Sequence, residues 1–167
     1  MFYCDKEIRE FEEKLNYSPI INKLKEKYTM QGEIIFLNSI IAYSWYYLVE
    51  GDVNQMPINY DWKFLLDNWK KYIDIGIEEN ITSPYFYFIV GYTLDLHGDY
   101  ISQDYQEKGK KFMEKCLIIK ENSEINRLAR KFLLNENDKE KINTACNHLF
   151  PNNSLIDQYF KSRFLIK

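Results

Sequence analysis

The chain is poor in the residues that usually carry chemistry or break up a fold. It has 167 residues but only two histidines, three cysteines, four prolines and six glycines. Cys4, Cys116 and Cys146 form an odd set without framework spacing, which argues against a disulfide scaffold and for a reducing compartment. Cys146-x-His148 is the only cysteine–histidine pair within three residues, and His97 is remote from it. A zinc site takes about four ligands, so neither metal nor cofactor is expected. The glycines form no GxGxxG and no phosphate loop, and neither G-x-S-x-G nor H-E-x-x-H occurs. An enzyme is therefore not the expected reading. So few prolines and glycines leave room for few turns, which favours helices.

A long apolar run is missing too. Residues 34–49 carry no charge, but the run is sixteen residues long and includes Asn38 and Ser44. A spanning helix takes about 18 or more. The run is also too long for a typical strand and does not alternate, so a buried helix is expected and no membrane partner. Charge begins at Asp5, unlike a secretory signal. A cytoplasmic location is expected from that and from the odd cysteine count.

Aromatic residues are abundant: 17% of the chain, with fourteen tyrosines and eleven phenylalanines. That is enough for one sizeable core, and a single all-helical domain over 1–167 is expected. The net charge of −3 is unevenly spread. Residues 1–30 balance. Residues 31–105 hold three lysines against eleven acids, and residues 106–167 hold thirteen bases against eight acids. An acidic middle repels phosphate and attracts basic proteins.

Local signals place eight to nine helices. Asp5 caps the first, to about Leu15, and Ser18-Pro19 opens a second that Gly32 ends. A third covers about Glu33–Glu50 and stops at Gly51-Asp52, followed by a loop over 53–59 containing Pro57. A fourth, about Asp61–Glu79, shows Trp62, Leu65, Leu66, Trp69, Ile73 and Gly76 at helical spacing. Ser83-Pro84 starts a fifth, which Gly98 stops before a turn at Asp99-Tyr100. A sixth carries Gly109, Phe112, Met113, Cys116 and Leu117. Ser123 opens a seventh to about Leu134, and Asn135 to Asp138 break it. Ile142, Ala145, Cys146 and Leu149 mark an eighth, a turn follows over 150–153, and Ser154 caps the last.

Tyr87, Val90, Gly91 and Leu94, then Gly98-Asp99-Tyr100, then Gly109, Met113 and Cys116 resemble a tetratricopeptide repeat. The family's first helix reads Trp-x2-Leu-Gly-x2-Tyr, with a turn and two small residues after it. Ile40, Tyr43, Ser44 and Tyr47 repeat the first-helix spacing. Gly76 precedes Tyr87 by the family's eleven residues. The departures are a turn longer by about six residues, 101–106, closer to Sel-like relatives, and Glu121 where a late proline is usual. The resemblance implies stacked antiparallel hairpins (33–79 and 83–119) that bind protein or peptide.

The same resemblance implies that first helices line a concave groove. Ile41, Trp45 and Leu48 would come from one repeat, and Tyr85, Phe88, Tyr92, Asp95 and Leu96 from the next. Aromatics beside carboxylates suit a protein interface. The candidate partner-binding residues are Trp45, Tyr85, Tyr92, Asp95, Asp99 and Asp104. Trp45 suits the core as well, whereas Tyr92 and Asp95 suit a surface. The acid pairs Asp95/Asp99, Glu78/Glu79 and Asp61/Asp67 read as solvated helix faces rather than glycosidase carboxylates. Lysines and arginines from Lys108 to Lys131 are interleaved with glutamates, which fits exposed i,i+4 pairing rather than nucleic-acid binding. In general character the chain is similar to helical immunity proteins of contact-dependent growth inhibition systems. That likeness implies occlusion of a basic, nuclease-type toxin. A tetratricopeptide-type adaptor is the alternative.

Overall fold

The computed structural model describes residues 1–49, 60–119, 123–151 and 154–166. The fold is all-α, with nine α-helices and no strand among the described residues. The expected stops at Gly51-Asp52, the 53–59 loop, Asn152-Asn153 and Glu121 lie outside them. The chain divides into two compact units. One comprises residues 2–81, the other residues 82–167 with Met1.

The first unit holds α1 (Lys6–Glu13), α2 (Tyr17–Gln31), α3 (Ile34–Val49) and α4 (Trp62–Glu78). Each packs on the next. Their ends follow local chemistry. Asp5 Oδ1 accepts from the Ile8 amide at 2.9 Å, and Asp61 Oδ1 from the Phe64 amide at 2.9 Å. Gly32 ends α2 at φ 67°, a left-handed conformation that side chains resist. The second helix begins at Tyr17, ahead of the expected Ser18-Pro19 start, and Tyr17 is buried.

Residues 36–45 of α3 are buried without interruption, as an apolar run with no polar face requires. Trp69 on α4 and Ile20, Ile21 and Leu24 on α2 are buried with it. Hydrogen bonds then fix how the helices register. Tyr43 Oη donates to Glu12 Oε1 at 2.6 Å, tying α3 to α1. Tyr28 Oη donates to Glu79 Oε2 at 2.8 Å, tying α2 to the end of α4. The Asp61 amide donates to Tyr17 Oη. Lys23 reaches both Asp5, at 2.9 Å, and Glu7.

The second unit holds α5 (Pro84–His97), a 3-10 turn (Gly98–Tyr100), α6 (Gln103–Ile118), α7 (Ser123–Leu134), α8 (Lys139–Leu149) and α9 (Leu155–Phe164). Helices α5 and α6 form an antiparallel hairpin zipped by glycine. A β-carbon on Gly91 would lie 2.7 Å from Met113 Cγ, and one on Gly98 2.6 Å from the Gln106 amide nitrogen. One on Gly109 would lie 2.4 Å from the Asp95 amide nitrogen. The turn of this hairpin corrects the expectation of a six-residue extension over 101–106. Helix α6 already begins at Gln103, so only Ile101 and Ser102 separate it from the 3-10 turn. Gly98 allows this, because only a residue without a β-carbon admits the Gln106 backbone so closely.

Helix α7 buries Ile125, Leu128 and Ala129, and α8 buries Ile142, Ala145, Cys146 and Leu149. Asn126 Nδ2 donates to the Leu117 carbonyl at 2.6 Å and the Cys116 carbonyl at 3.2 Å, satisfying acceptors that the end of α6 leaves open. Asp138 caps α8, and Ser154 Oγ accepts from the Asp157 amide at 3.0 Å to cap α9. Asn143 clamps the tail through its side-chain amide: Nδ2 donates to the Ile166 carbonyl at 3.0 Å and Oδ1 accepts from the Ile166 amide at 2.9 Å.

Candidate functional site

Of the six candidate residues, Trp45 lies in the first unit and the other five in the second. Trp45 is fully buried in α3, in keeping with the core role it also suited. Ile41, Leu48 and Phe88, expected along a groove, are buried too.

Tyr92 corrects the surface role expected of it: it is 4% exposed. Its ring lies 5.2 Å from Phe132, 5.2 Å from Phe160 and 5.4 Å from Phe164. Helices α7 and α9 thus cover the face of α5 that a single hairpin would leave open. The sequence signal for this was the pairing of Phe160 and Phe164, four residues apart on α9, an aromatic face that needed a partner.

Tyr85 is half-buried in the first turn of α5. Asp95 lies ten residues further on, about 15 Å along the axis. Tyr85 is therefore at the opposite end of the hairpin from the three carboxylates. Asp95, Asp99 and Asp104 do gather at one end, where α5 closes into the 3-10 turn and α6 begins. Asp99 and Asp104 are exposed and Asp95 is half-buried. Desolvation pushes the Asp95 carboxyl above its ordinary value, and Lys110 partly offsets this.

Two exposed apolar residues stand among these acids. Leu96 is 38% exposed and Tyr100 49%. The Tyr100 ring lies 5.5 Å from that of His97. Tyr100, which was not among the candidates, is exposed beside them, and a ring placed directly after Asp99 in a turn is hard to bury. The closed end of the hairpin is thus acidic, with a tyrosine and a leucine facing solvent. It can attract a cation over distance and offer it a ring at contact.

The remaining reactive groups have plain structural partners. Burial pushes the Cys116 thiol up to about 12 and those of Cys4 and Cys146 to about 11, so all three are poor nucleophiles near neutral pH. His148 Nδ1 lies 2.8 Å from Glu124 Oε2, bridging α8 to α7. Among the described residues, no three histidine, cysteine or acidic side chains come together as a metal site. No helix among them is long and apolar enough to cross a membrane. No protein-family model, curated protein or solved structure matches this chain.

Proposed function

We propose that the chain is a non-enzymatic, cytoplasmic protein-binding module, most concretely an immunity protein that binds and occludes a basic, nuclease-type toxin. The observation that supports this reading is the closed end of the α5–α6 hairpin. Asp95, Asp99 and Asp104 there flank exposed Leu96 and Tyr100. Carboxylates steer a cationic partner and speed its encounter, while an exposed tyrosine supplies area at small entropic cost. Occlusion needs no chemistry from the chain itself. It needs a firmly packed surface, and the close approaches at Gly91, Gly98 and Gly109 support that for the α5–α6 hairpin.

The test is inhibition of a cationic nuclease domain encoded beside this chain. The expected result is stoichiometric loss of nuclease activity, with association that slows as salt is added. Unaltered nuclease activity at excess inhibitor would overturn the reading. A tetratricopeptide-type adaptor is the second reading, supported by the α5–α6 hairpin spacing. It expects short extended peptides to bind as well as folded basic proteins do.

A further inference from the structure

We infer that the cleft between α7 and α8 binds a small, singly charged oxyanion, a carboxylate or its equivalent, with Arg127 as the principal contact. The cleft has a volume of about 220 Å³. It is walled by Arg127 and Arg130 from α7, by Glu136 and Asp138 from the connection, and by Lys141 from α8, with buried Ile142 also in its lining. Arg127 and Arg130 stand three residues apart and so share a helix face. Pockets for drug-sized ligands run to about 300–1,000 Å³, so this one suits a smaller group.

The charges show what that group is. Three cations meet two acids, leaving one positive charge. Both acids are already engaged. Arg130 grips Glu136 through Nε at 2.8 Å and through Nη2. Asp138 accepts from Lys141 Nζ at 2.6 Å and from the Lys141 amide at 3.2 Å. Arg127 makes no ion pair within 4.0 Å among the described residues; hydrogen bonds from Lys141 chiefly hold the Asp138 carboxyl below its ordinary value, and the Arg127 charge adds a smaller part. A guanidinium has five N–H donors in a planar fork that matches an oxyanion. Among the described residues Arg127 therefore has donors free, and Arg130 has used two of its five. The ion pairs hold Arg130 and Lys141 in place before any ligand arrives, which reduces the ordering cost of binding. The two carboxylates in the lining disfavour a second negative charge, so a monoanion fits better than a dianion.

The ligand can be a free small acid or an acidic side chain of another polypeptide. The test uses acetate for the first and N-acetyl-glutamate amide for the second. Each is titrated into the 15N-labelled chain at constant ionic strength, with chloride as the reference anion. The readouts are the Arg127 Nε–Hε resonance and the Ile142 amide. Saturable shifts with a midpoint of about 1–10 mM are expected, as for a few charge-assisted hydrogen bonds near solvent. The tighter of the two probes identifies the source. Arg127→Ala should weaken binding at least about fivefold, by loss of the main charged contact. Arg127→Lys keeps the charge but loses the fork, and should weaken it by a smaller factor; it serves if the alanine variant misfolds. Linear shifts equal to those with chloride overturn the proposal, as does an unchanged midpoint in a folded Arg127 variant.

Discussion

Gly109 of α6 packs directly on the backbone of Asp95 in α5. A β-carbon at Gly109 would sit 2.4 Å from the Asp95 amide nitrogen and 2.6 Å from the Leu94 carbonyl carbon. No rotamer change relieves such a contact, because both atoms are main chain. This approach brings Asp95 and the 3-10 turn to one end of a tight hairpin, so it connects packing to the candidate interface.

Gly109→Ala should therefore destabilise the chain although alanine is the better helix former. The propensity gain is about 0.5–1 kcal/mol, and overpacking costs about 1–3 kcal/mol. Urea denaturation should show a lower midpoint. Gly91→Ala should cost less, because two of its three closest contacts are Met113 side-chain atoms that can shift. Equal losses at the two sites would contradict the backbone contact at Gly109.

Tyr92 and Tyr85 should behave oppositely. Truncating Tyr92 to alanine removes a ring packed among Phe132, Phe160 and Phe164 and should cost about 3–5 kcal/mol. Tyr85→Ala, in the half-buried first turn, should cost about 1 kcal/mol or less. Denaturant midpoints measured in parallel distinguish the two. A surface role for Tyr92 would make both changes small.

Replacing Asp99 with lysine and Tyr100 with alanine should leave stability within about 0.5 kcal/mol, since both side chains are exposed. Binding to a basic partner should still fall, with Asp99→Lys acting mainly on the association rate and its salt dependence. Stopped-flow association at two salt concentrations reads this directly. An association rate indifferent to Asp99→Lys would remove the steering role of this end.

The thiols predict a pH dependence. Burial raises Cys116 to about 12 and Cys146 to about 11, from 9.0 when unfolded. A group whose folded value is raised binds its proton more tightly in the native state. Its stabilising contribution is whole below pH 9 and is lost as pH rises through 9 to about 12. Thermal midpoints should fall across that window. At pH 8 a thiol of pKa about 11 is ionised about one part in a thousand, so a thiol reagent should label Cys146 only as the chain opens.

The chain's own sequence determined where most helices begin and end, because those decisions are local. Asp5, Asp61 and Ser154 each have a side-chain oxygen within reach of an amide three residues on. Gly32 adopts a conformation that few other residues tolerate. The uncharged stretch 34–49 could only be buried. Tertiary structure alone decided which faces those helices show. The turn after Asp99 argues for exposure of Tyr100, but nothing near Tyr92 in the sequence says that it would be covered. Rings from α7 and α9, forty and more residues away in the case of Phe132, Phe160 and Phe164, cover the first and leave the second in solvent. Burial is a property of distant partners, and periodicity reports only that a face exists, not what comes to cover it.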